Sequence, residues 1–143
     1  MKDTVELTIH APQAKVAALF DDPRTFPQWM DEIERTETLS GDPAALGAKV
    51  RLVPRRGHHG FVAKKVARDL PHWSCLLLSD SGVSVTVRGT FVRVSDEITK
   101  LVSEEIFAFR GLMARIRGFL GRRAIRSAHR KHMESFKRFA EQS

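Results

Sequence analysis

Polar and apolar positions alternate with a period of two along most of this chain, and a helical period replaces that alternation only near the two ends. From Thr4 to His10, Val5, Leu7 and Ile9 fall on one side and Glu6, Thr8 and His10 on the other, which predicts a half-buried strand. Pro12 then suits the first turn of a helix, where its missing N–H has no partner to lose. Val16, Leu19 and Phe20 supply that helix with an apolar stripe, and Asp21-Asp22-Pro23 ends it, because the residue before proline is pushed out of the α region. A second short helix or turn is expected around Thr25 to Trp29.

Strands follow one another, separated by turn chemistry. They are expected over Ile33–Leu39, Lys49–Arg55, Phe61–Asp69, Trp73–Ser79, Val83–Val94 and Thr99–Phe109. The turns between them carry Ser40-Gly41-Asp42-Pro43, Leu70-Pro71, Asp80-Ser81-Gly82 and Asp96-Glu97. Arg56-Gly57-His58-His59-Gly60 reads as a hairpin loop rather than a metal site. Val83, Val85, Val87 and Phe91 share one face of the clearest strand. Connections this short imply an antiparallel meander, since a parallel sheet needs helical crossovers.

A single basic helix is expected from Gly111 to Ser143, a segment free of proline and rich in helix formers. Gly118 and Gly121 weaken its start, so a kink or an irregular turn is expected there. Beyond them Ile125, Ala128, His129, His132, Met133, Phe136, Phe139 and Ala140 follow helical spacing and should face the sheet.

Composition changes this picture in two ways. The 143 residues amount to one domain, with no apolar run long enough to span a membrane and no apolar leader at the N-terminus. One cysteine, Cys75, excludes an internal disulfide and fits a reducing, cytoplasmic setting; its apolar neighbours suggest a small core residue. The net charge of +7 is concentrated: from Arg110 onward ten Lys or Arg oppose Glu134 and Glu141, giving +8 and leaving −1 for residues 1–109. That asymmetry admits an anionic partner for the last helix, or simply a solvent face carrying arginines.

Several short motifs occur in a recognisable order: Ala11-Pro12 opening the first helix, Asp22-Pro23 after Phe20, Pro27-Gln28-Trp29, Gly47, Pro71 in the Arg68–Trp73 turn, Gly89-Thr90, and the terminal Glu134-Ser135-Phe136-Lys137. In that order the chain resembles the SRPBCC superfamily (START, Bet v 1-like), and within it the polyketide cyclase/dehydrase branch. The resemblance implies an α+β helix-grip fold, with a curved antiparallel sheet of about seven strands wrapped around a long C-terminal helix. It also implies an apolar ligand, such as a lipid, isoprenoid or polyketide-like compound, held between sheet and helix. The chain has no tyrosine, so no phenol can serve as the acid of an aromatase.

The residues expected to line such a cavity are Phe26, Trp29, Trp73, Phe91, Phe107, Phe109, Phe119, Leu120 and Met133, with Glu105, His129 and Arg88 as the polar groups that orient a ligand. Glu105 shares one face of the last strand with Leu101, Ser103, Phe107 and Phe109. In an apolar setting its pKa would rise, which suits a general acid or base, unless a bulge or an arginine partner returns it to water. His129 and His132 lie three residues apart, but a metal would need a third ligand, and no metal or cofactor is expected. No nucleophile elbow supports Ser-His-Asp catalysis, and no Gly-rich phosphate loop is present. The function expected is therefore non-covalent binding of a hydrophobic small molecule, with cyclisation or dehydration of a poly-β-keto substrate as the enzymatic alternative. A further alternative is an interaction protein that docks through its basic last helix on RNA, a ribosomal surface or an anionic membrane. The arginines would suit a transient membrane contact, through Leu112, Met113, Ile116, Phe119 and Leu120, better than nucleic acid, for which Phe119, Phe136 and Phe139 would have to be exposed rather than buried.

Overall fold

A computed structural model describes residues 1–57 and 60–143 of the chain. Seven strands, β1 (Lys2–Ile9), β2 (Ile33–Ser40), β3 (Lys49–Pro54), β4 (Val62–Asp69), β5 (Trp73–Ser79), β6 (Val83–Ser95) and β7 (Ile98–Phe109), form one antiparallel sheet. Its order is β1-β7-β6-β5-β4-β3-β2, so β2 to β7 make a meander and β1 pairs on the far side of β7. The sheet is curved and open, with β1 and β2 at its edges. The expectation of an α+β helix-grip architecture holds.

Between β1 and β2 run helix α1 (Gln13–Asp21) and a six-residue 3-10 helix (Pro23–Gln28). Pro12 stands just before α1 rather than in its first turn, and its carbonyl accepts from Val16 N–H at 3.1 Å. The Asp22 carboxylate caps the 3-10 helix by accepting from Arg24 N–H at 3.0 Å. Helix α1 sits directly on β6. A Cβ on Gly89 would come within 2.6 Å of the Phe20 ring, so only glycine in that strand lets α1 approach so closely.

The single C-terminal helix is corrected to two. Helix α2 (Leu112–Leu120) stops at Gly121, and α3 (Arg122–Gln142) starts from the same residue. The apolar stripe of α3 faces the sheet as its spacing predicts, with His129, Met133, Phe136 and Ala140 buried. Phe136 packs edge-on against Phe20 and Trp29, with ring centroids 5.3 and 5.2 Å away. This aromatic knot joins α1, the 3-10 turn and α3, and fills the space beneath one end of α3. No helix is long and apolar enough to cross a membrane among the described residues.

Candidate functional site

Toward the N-terminal half of α3 the filling stops, and a cavity of about 320 Å3 separates that half from the sheet. The pleat decides what points into it. On β3, β5, β6 and β7 alternate residues face the helix, which brings Leu52, Leu78, Val85, Glu105 and Phe107 onto one concave wall. Met30 and Ile33, after the 3-10 turn, together with Phe61 close a second side. Ile125, Ala128, His129 and His132 form the roof, with Ala128 exposed at the mouth. Against this apolar lining the polar groups are Glu105 and His129 deep in the cavity, and Glu32 and His132, which pair with one another across its rim.

His129 is fully buried and both its ring nitrogens are engaged. Nδ1–H donates to the Asp3 carboxylate at 2.8 Å, and Nε2 accepts the Ser103 hydroxyl at 2.9 Å. That assignment requires the neutral imidazole, in keeping with burial, which pushes the His129 pKa down more strongly than Asp3 raises it. The order Asp-His-Ser is that of a hydrolase triad, but Ser103 is wholly inaccessible and absent from the cavity wall. It fastens α3 to β7, and β1 joins through Asp3. With both nitrogens occupied, His129 has no lone pair for a metal, and among the described residues no three His, Cys, Asp or Glu side chains group to hold one.

Glu105 stands opposite Asp3 in the β1–β7 ladder, and no register shift interrupts its pairing with Val87 on β6. Its side chain is mostly buried, with Oε1 3.6 Å from His129 Nδ1. Desolvation first, and the neighbouring Asp3 charge second, push its pKa up to about 7. Among the described residues no side chain hydrogen-bonds the Glu105 carboxyl. The cavity thus holds an apolar wall interrupted by one buried carboxyl whose pKa is raised well above the usual carboxylate range.

Of the residues expected to line the cavity, the structure brings together Glu105, Phe107 and His129, and places the others elsewhere. Phe26, Trp29, Phe91 and Met133 belong to the solid core, and the Trp29 indole N–H is satisfied there by Thr25 Oγ1 at 3.2 Å. Trp73 and Arg88 lie on the convex face, the guanidinium 4.7 Å above the ring. Cys75 is on that face too, half-buried rather than in the core, with its thiol pKa raised by desolvation. Phe109 abuts α2, while Phe119 and Leu120 project into solvent, so the expected burial of Phe119 is also corrected. His58 and His59 lie outside the described residues. Asp3 and Ser103 were not anticipated as partners of His129. Ser103 was legible as a member of the Glu105 face, but Asp3 was not, because the pairing of the first strand with the last leaves no local trace in the sequence.

No protein-family profile matches the chain, and no curated protein matches it by sequence. Its structure is nonetheless similar to the Zhui aromatase/cyclase of Streptomyces sp. R1128, at 15% identity and a TM-score of 0.75, covering 99% of this chain and 94% of that one. It is also similar to norcoclaurine synthase of Thalictrum flavum in complex with dopamine and hydroxybenzaldehyde, at 14% identity and a TM-score of 0.69, covering 99% and 87%. A START superfamily protein of Mycobacterium smegmatis matches at 14% identity and a TM-score of 0.69, covering 99% and 94%. The chain therefore shares its fold with these aromatase/cyclase, norcoclaurine synthase and START proteins, as the order of motifs suggested.

Proposed function

We propose that the chain binds a small, mainly apolar molecule in the cavity under α3, with Glu105 hydrogen-bonding an oxygen of that molecule. The observation that carries this reading is an apolar wall interrupted by one carboxyl that no side chain hydrogen-bonds among the described residues. A volume of about 320 Å3 is near the lower bound of ligand pockets, about 300 Å3. At about 30 Å3 per water it equals roughly eleven waters, which favours a one- or two-ring isoprenoid or polyketide-like compound over a whole phospholipid. Protonated Glu105 would donate to a carbonyl or hydroxyl oxygen, and burial of the rest would supply most of the affinity.

A second reading is favoured by the setting of Glu105, buried in the cavity wall opposite Asp3, which pushes its pKa up to about 7. A carboxyl titrating at the working pH is suited to proton transfer, and a poly-β-keto substrate would place an enolisable carbon beside it. The similarity to an aromatase/cyclase and to norcoclaurine synthase is one of fold, which hosts both carriers and catalysts.

Native mass spectrometry of freshly purified protein, followed by organic extraction, tests the main reading. A low-mass apolar adduct at one per chain is expected, exchangeable with an apolar fluorophore and insensitive to salt. Protein that arrives empty and binds no apolar fluorophore would overturn it. With the ligand known, Glu105→Gln separates the two readings: affinity weakened about tenfold with nothing turned over marks a carrier, whereas retained binding with lost conversion marks an enzyme.

A further inference from the structure

Helix α2 turns its apolar side to solvent. Leu112 is 73% exposed, Met113 65%, Ile116 45%, Phe119 62% and Leu120 77%, five large apolar side chains in nine residues. At 3.6 residues per turn these five fall within a sector of about 120°. Arg115 and Arg117 stand on its two borders. The opposite side carries Ala114 and Gly118, and a Cβ on Gly118 would come within 2.4 Å of the Phe109 ring. The helix is thus seated on the body through its smallest residues, and the stripe that would normally face a core faces outward. A contiguous exposed patch of this kind marks an interaction surface.

The charges around it choose the partner. No Asp or Glu occurs between Ile106 and Met133, while Arg110, Arg115, Arg117, Arg122, Arg123 and Arg126 do. Arg122 lies 4.2 Å over the Phe119 ring, beside the apolar sector. A second copy of this face would set the same cations against each other. A nucleic acid would satisfy the arginines but leave five apolar side chains in water. An anionic bilayer takes both, with side chains entering at the headgroup boundary and guanidinium groups among the phosphates. We propose that α2 docks this protein on anionic membranes by inserting the Leu112–Leu120 apolar sector, with the flanking arginines at headgroup level. Ile125 lines both the ligand cavity and the cleft against α2, so docking would bring that end of the cavity to the bilayer. Only this last consequence depends on the ligand-binding reading; the docking does not.

Flotation of the full chain with vesicles tests it, using phosphatidylcholine alone and phosphatidylcholine with phosphatidylglycerol at roughly two to one. Binding to the anionic vesicles is expected, with little to the neutral ones. Phe119→Ser/Leu120→Ser keeps every charge and alters only exposed side chains, and should lower anionic binding at least about tenfold with an unchanged melting curve. Separately, Phe119→Trp should shift its emission to the blue on adding anionic vesicles. Undiminished binding of the double variant, with no blue shift, would mean adsorption through α3 and would overturn the insertion. So would a failure to bind either vesicle, or a dimer in sedimentation that the double variant dissolves.

Discussion

Glu105 and Asp3 face each other across the β1–β7 ladder with His129 between them and α3, so that two carboxyls and one neutral imidazole share a small, poorly solvated space. Such a cluster makes stability depend on pH in a direction that can be worked out. In the unfolded chain Glu105 ionises near 4.5, whereas in the fold it keeps its proton to about 7. Between those values the unfolded state binds fewer protons, so this group's contribution to stability is full below pH 4.5 and is lost as pH rises toward 7. The shift corresponds to about 3 kcal/mol at its upper end. Glu105→Gln removes the titration. Its advantage over the wild type in chemical denaturation should be smallest near pH 4.5 and grow to that order above pH 7; a difference that stays flat would mean that Glu105 is solvated. His129 works in the opposite sense, since its lowered pKa makes acidification below about 6.5 destabilising, and only the comparison of the two proteins isolates Glu105. The inward face of β7 was readable from period two alone. The rest of the cluster was not, because Asp3 reaches it through a pairing of residues more than a hundred positions apart.

At the scale of elements, the devices that hold helices to the sheet were largely hidden. Asp21, in the last turn of α1, accepts from Lys65 Nζ at 3.0 Å and Arg68 Nη1 at 2.9 Å, and Asp21 and Lys65 are both buried. In the sequence Asp21 is only the polar end of a helix, and Lys65 one of two lysines in a strand. Asp21→Ala would leave the Lys65 ammonium buried without a counter-charge, and should cost about 3–5 kcal/mol of unfolding free energy, read as a lower urea midpoint. Asp21→Leu/Lys65→Met should recover most of that loss, since an apolar pair of similar volume needs no counter-charge. A loss below about 1 kcal/mol for the single variant would mean that water reaches the pair. The glycines show the same limit on what a sequence reveals. Gly118 and Gly121 look alike as helix weakeners, yet the break falls at Gly121 while Gly118 stays helical against Phe109. Propensity is a weak local term and tertiary contact overrides it. What was legible were the alternating strands and the stripe of α3, because one face of each is buried over several residues.

Across the whole molecule, the interior between the sheet and α3 is divided in two. Beneath the C-terminal half of the helix, Phe20, Trp29 and Phe136 meet edge-on and leave no space; beneath the N-terminal half, the walls separate into the cavity. The candidate site was only partly legible in the sequence for this reason: Glu105, Phe107 and His129 line the cavity as expected, and the other expected residues do not. Large aromatics were expected to line the cavity, whereas Phe26, Trp29 and Phe91 fill the closed half and smaller residues such as Val85, Leu78 and Ile33 bound the open one. The two halves should answer differently to the same substitution. Val16 is fully buried in the packed half, where Val16→Phe must displace neighbours and should cost about 1–3 kcal/mol. Val85→Phe would project into empty space, where the added ring buries apolar area at roughly 25 cal/mol per Å2 instead of straining its surroundings. Its unfolding midpoint should equal or exceed that of the wild type, while binding of an apolar fluorophore is lost. Equal destabilisation by the two substitutions would mean that the region under Val85 is packed core, and the ligand-binding role would lose its physical basis along with the cavity.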